Sequence, residues 1–211
     1  MEFDTLHFDW VKLYDKLEGY AKKSSKLRIS NMSIEEYKTI LESKNYTLLL
    51  NRKIRNSADV ITTMCIAYSW MPTMLEIYDT DNLIDGIASE LSILDRIGLC
   101  SESEKKLIFN LARITNNSIV GAIKTLHLID SDRYPLIDSR VLLAWKKLFK
   151  NNRNVQSLGY SWNVGKQSSN LNRLIEKYFY YRAFIRYWSS NLSDVNARDI
   201  EFRFYLSGDR N

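Results

Sequence analysis

One aspartate stands where a carboxylate could do chemistry. Asp138 follows Pro135-Leu136-Ile137 and opens the run Asp138-Ser139-Arg140-Val141, ahead of an apolar-periodic segment that reaches Phe149. An acid at a helix start has two uses. Its oxygen can cap the orphan backbone N–H groups. Held by the same bonds and pointed out of the helix N-terminus, it can also stabilise a developing cation or activate water. At this level both uses stay open.

A second set of residues suits a polyanion. Arg173 and Lys177 are four apart, as are Tyr178, Arg182 and Arg186, so helical spacing draws them into two stripes. Tyr180, Tyr181, Phe184, Tyr187 and Trp188 are interleaved with them. Arginines pair with phosphates and aromatic rings stack on unpaired bases. Equally, the rings can be core and the arginines their solvated rim. The charge is unevenly spread: residues 1–138 hold 17 Lys/Arg against 20 Asp/Glu, whereas residues 139–211 hold 13 against 5. The basic C-terminal third, which also carries Arg140, Lys146 and Lys147, suits a nucleic-acid phosphate face or a merely basic surface.

Other chemistries lack their residues. The chain has two histidines, His7 and His127, and two cysteines, Cys65 and Cys100. No metal site is expected from so few ligands, and no cofactor. His127 sits among apolar neighbours, where a core histidine with a satisfied hydrogen bond is expected. The cysteines are read as two buried thiols in a reducing cytoplasm. Glycine-rich nucleotide loops, zinc-protease motifs and nucleophile elbows do not occur.

The stretch from Asn116 to Trp145 describes a turn, an apolar helix, a short loop with Pro135, and then Ile137-Asp138-Ser139-Arg140-Val141 opening another helix. Over about 35 residues this resembles the helix-hairpin-helix DNA glycosylase superfamily. The resemblance implies that Asp138 corresponds to the family's catalytic aspartate and that the partner is double-stranded DNA with a modified base flipped into a pocket. The chain departs from the family in its hairpin, where Ile114-Thr115-Asn116-Asn117-Ser118 replaces a glycine-containing pattern. Val120 occupies the place of the lysine of bifunctional members, and Lys124 is only 14 residues ahead of Asp138, so lyase activity is not expected. The four-cysteine iron–sulfur loop of some members is missing too.

The elements that must position these residues are helices. Seven glycines and two prolines among 211 residues fall well below the roughly 15 and 10 of average usage, so turns are scarce. Periodicity predicts helices over Asp4–Lys23, from Ser33 to about Ser43, Ser57–Ser69, Asp81–Ile97, Ser101 to about Thr115, Ser118–Ile129, Asp138–Phe149, Ser169–Ser190, and from Ser193 to about Leu206. Ser33 with Glu36 and Ser101 with Glu104 read as capping boxes. Residues 45–55 suit a strand or a helical turn, and 150–167 are irregular. The N-terminus lacks a basic-then-apolar leader, and no apolar run is long enough to span a membrane.

The expectation is an all-α fold: one helical domain over 1–211 arranged as a two-lobed, helix-hairpin-helix glycosylase-like bundle. Its central lobe would cover about 57–149, and the terminal helices would form the other. The expected function is that of a cytoplasmic, DNA-binding, monofunctional base-excision glycosylase. The rival is a catalytically inert nucleic-acid-binding or protein-interaction module.

Overall fold

The computed structural model describes residues 6–45, 53–69, 71, 73–78, 82–97, 101–152, 155 and 170–208. The fold is all-helical. Ten helices run in the order α1 (Trp10–Ala21), α2 (Ser25–Ser30), α3 (Ile34–Asn45), α4 (Ser57–Ser69), α5 (Leu83–Ile97), α6 (Ser101–Ile114), α7 (Ile119–Ile129), α8 (Ser139–Leu148), α9 (Leu171–Ser190) and α10 (Ala197–Ser207) among the described residues. No helix among these residues is long and apolar enough to cross a membrane. Backbone proximity divides the chain into two compact units. One holds α1, nearly all of α3, α2, α8, α10 and α9 from Lys177 onward; the other holds α4 to α7 and the start of α9.

The first unit is built around aromatic rings. Trp145 of α8 stacks on Phe204 of α10, with ring centres 5.5 Å apart, and meets Phe184 of α9 edge-on at 5.1 Å. Phe149, Trp188 and Trp10 extend the cluster. Each of two indoles keeps its polar end satisfied, because Trp145 Nε1 donates to Val155 O and Trp188 Nε1 to Trp10 O. Helix α10 packs on both α1 and α8, and Ser207 Oγ donates to Leu17 O across the junction with α1.

The second unit is organised by α7, which is apolar nearly all round and buried from Ile119 to Leu128 except at Lys124. It packs on α4 and α6. Gly121 permits the approach of α4: a β-carbon there would run into the ring of Tyr68. The Tyr68 hydroxyl donates to Thr115 O at 3.1 Å, and burial pushes its pKa up to about 12. His127 is buried with Nδ1 2.7 Å from Tyr134 O, the satisfied core histidine its neighbours predict.

Several local expectations change. The first helix is shorter than Asp4–Lys23, and α2 follows it as a separate piece. This short helix is capped by Ser24 and stopped by Asn31 at φ 52°, and only Leu27 of its six residues is buried, too little to show as a stripe. Ser33 and Glu36 do form the reciprocal capping box. Glu104 instead lies buried against Arg133, 2.9 Å from Nε, and Ser101 is already the first helical residue of α6. The last helix opens at Asn196 rather than Ser193, since Asp194 takes φ 59° and Asn196 with Asp199 forms the capping box. Cys65 is exposed, not buried, because Val60, Thr63, Met64, Ala67 and Tyr68 turn the other side of α4 inward. Cys100, most of residues 45–55 and most of 150–167 lie outside the described residues.

Candidate functional site

Asp138 sits at the head of α8 in extended conformation, and its side chain caps the helix. The geometry is asymmetric. Both backbone donors, Arg140 N at 2.8 Å and Val141 N at 3.0 Å, go to the same oxygen, Oδ1. Oδ2 makes no hydrogen bond among the described residues, and the residue is half-buried. A single carboxylate thus serves as cap through one oxygen, Oδ1.

The approach to Asp138 is tied down from α9. Tyr178 Oη donates to Pro135 O at 3.2 Å and Tyr181 Oη to Leu136 O at 3.0 Å, while Ile137 is buried. From α10, the buried Glu201 pairs with Arg198. Burial raises the Glu201 pKa, the Arg198 charge opposes that rise, and the negative charge of Asp138 adds to it. Burial likewise raises the Tyr181 phenol well above its ordinary value, with Glu201 and Asp138 contributing. Of the two carboxyl groups, the buried one is therefore biased toward its neutral form, and Asp138 is the one solvent reaches.

The basic residues are distributed over two helices. On α8, Arg140 lies in the first turn, its Nη1 2.7 Å from Tyr205 Oη, and Lys146 and Lys147 lie in the last turn. Lys147 is exposed, with Nζ 4.4 Å from the centre of the Tyr20 ring. On α9, Arg182 lies over Phe179 at 4.4 Å and Arg186 is exposed. Nine residues, about two and a half turns, separate Arg173 from Arg182 and Lys177 from Arg186. The two stripes consequently point to opposite sides of the helix. Arg173 falls in the second compact unit, whereas Lys177, Arg182 and Arg186 share the first with Asp138, Arg140, Lys146 and Lys147.

The α9 rings are mostly core. Tyr178, Tyr181, Phe184 and Trp188 are buried, and Tyr187 packs edge-on to Trp10. They are committed to packing, which removes them as stacking platforms for bases. The turn before α7 is made by two asparagines: Asn116 and Asn117 adopt φ of 52° and 49°, which Asn tolerates better than most residues. Asn116 is fastened to the segment before α5, its N–H donating to Glu76 O and its Oδ1 accepting from Glu76 N. Val120 is buried on α7. Among the described residues no group of three or more His, Cys, Asp or Glu side chains could hold a metal ion.

Four residues at this site escape a reading of the sequence alone. Lys26 and Tyr205 meet across 179 positions, and Glu201 and Arg198 lie on α10 outside its capping box. The Tyr178–Tyr181 and Arg198–Glu201 pairs, each three apart, carry a local signal of a shared face. Compared with protein-family models, with curated proteins and with solved structures, the chain matches none.

Proposed function

We propose that the protein is a DNA-directed N-glycosylase of the monofunctional kind, with Asp138 as its acting carboxylate. The observation that carries this reading is the division of labour at Asp138: Oδ1 is held by two backbone amides, and Oδ2 is left without a hydrogen bond among the described residues at a half-buried position. Cleavage of an N-glycosidic bond leaves positive charge on the sugar as the base departs with the bonding electrons. A fixed carboxylate beside that carbon stabilises the charge and orients the water that adds to it; the base takes up a proton as it leaves. Arg140, Lys146, Lys147, Arg182 and Arg186, all in the unit that contains Asp138, supply cations for the phosphates.

The second reading is a nucleic-acid-binding module without catalysis. It is favoured by the same Oδ1 bonds, which suffice for a cap. Release of free base from duplexes bearing modified bases, with Asp138→Asn beside the wild type, separates the two.

A further inference from the structure

We propose that Lys26, Arg140 and Tyr205 form a binding site for a phosphate group. The three side chains come from α2, α8 and α10 and meet at one atom, the Tyr205 hydroxyl oxygen. Arg140 Nη1 donates to it at 2.7 Å, and Lys26 Nζ donates to it as well. Both cations also lie over the ring: Lys26 Nζ is 4.0 Å from its centre and the Arg140 guanidinium carbon 5.0 Å.

The hydrogen-bond arithmetic sets the polarity of the site. A phenol oxygen has two lone pairs and one proton. Lysine and arginine can only donate, so the two lone pairs are taken, and the Tyr205 proton is left to be donated outward. Lysine keeps two further N–H donors and arginine four. Everything the cluster still offers is a donor or a positive charge.

Electrostatics point the same way. Two cations bonded to one oxygen are forced close together, and neither has a carboxylate within ion-pair distance among the described residues. This contrasts with Arg203, Arg198, Lys38 and Arg133 of the same chain, each of which has an acidic partner. Like charges brought together in a part-buried place favour an oxyanion, whose several oxygens match a cluster of convergent donors. Gly208 holds the geometry: its backbone lies so close to the Arg140 carbonyl that no β-carbon fits, which brings the end of α10 down onto the start of α8 one turn from Tyr205.

Phosphate of this chemistry comes either as a free monoester or inorganic ion, or as a phosphodiester of a nucleic acid. The site does not depend on catalysis by Asp138, so either can fail alone. The test uses the full-length protein and two probes, inorganic phosphate read by titration calorimetry and an unmodified DNA duplex read by fluorescence anisotropy. The variants are Tyr205→Phe, which keeps the ring and removes the hydroxyl, and Lys26→Gln, with Lys12→Gln on the exposed side of α1 as a control away from the cluster. Thermal melting of each variant verifies folding, and Lys26→Gln carries the test if Tyr205→Phe does not fold.

Loss of one charge-assisted donor is expected to weaken binding by about tenfold or more. Weakened inorganic phosphate with unchanged duplex affinity assigns the site to a free phosphate. A weakened duplex, with or without the free ion, assigns it to the nucleic-acid backbone. Wild-type protein that binds neither probe, or folded Lys26→Gln protein that binds both probes as tightly as wild type, overturns the proposal and leaves the cluster as cation–π packing.

Discussion

Gly208 and the Arg140 carbonyl approach so closely that the glycine hydrogen is the largest substituent the space admits. The glycine is not there for its backbone freedom, since φ is −89°. It is there for proximity, and it ties the end of α10 to the helix that Asp138 opens. Gly208→Ala is expected to destabilise the protein by about 1–3 kcal/mol, the cost of forcing atoms into a closely packed place. Urea unfolding measures it; a change below about 0.5 kcal/mol, within the range of ordinary surface substitutions, would show that the junction relaxes freely.

The capping role of Asp138 is separable from any chemical one. Asp138→Ala removes the acceptor for Arg140 N and Val141 N and should cost about 1 kcal/mol, whereas Asn, an equally good cap, should cost only a few tenths. Chemical denaturation of the two variants checks this. Equal losses would mean that the bonds to Oδ1 contribute little.

Glu201 makes stability depend on pH in a particular direction. Burial raises its pKa above the ordinary value of 4.5, with Arg198 only partly offsetting. A folded-state pKa above the unfolded one means that folding binds a proton. The associated stability is fully present below pH 4.5 and is lost as pH rises through the raised value. Other carboxylates act oppositely, such as Glu18, which hydrogen bonding from Lys22 lowers. The readout is therefore the difference between wild type and Glu201→Gln. Wild type should lose stability relative to the variant as pH climbs from about 4 to about 7, measured by melting temperature. A constant difference would show that Glu201 titrates normally.

The opposed stripes of α9 make the phosphate face testable. Arg182→Glu with Arg186→Glu should weaken DNA binding. For each phosphate that the variant no longer neutralises, the slope of log affinity against log salt should become shallower by about 0.9. Arg173→Glu, on the other side of the helix and in the other unit, should change it little. The reverse pattern would move the docking face to the Arg173 side.

Much of the helical layout is legible in the sequence because it is written in local patterns. The apolar run of α7, the Ser33–Glu36 capping box and the Asp138 cap are each set by residues close together along the chain. What the sequence hides depends on distant partners. Cys65 looks like a core thiol until the inward side of α4 is known, and Glu104 looks like a cap until Arg133 arrives from 29 positions away. The α9 rings suit a base platform or a core equally well as a pattern. The presence of Trp145, Phe149 and Phe204 opposite them decides for the core. The Lys26–Arg140–Tyr205 cluster leaves no local trace at all, since its members come from three separated helices.

The central claim is that Asp138 does chemistry on the sugar of a modified nucleotide. The most direct measurement is release of free base from a panel of duplexes carrying oxidised, alkylated or deaminated bases, comparing wild type with Asp138→Asn. Asparagine still caps α8 but supplies no negative charge. The account predicts base release by wild type, near-abolition in Asp138→Asn with DNA affinity retained, and strand cleavage only after alkali, because the proposed mechanism gives no lysine a part in it. No release from any duplex by wild type, or equal release by Asp138→Asn, would contradict it.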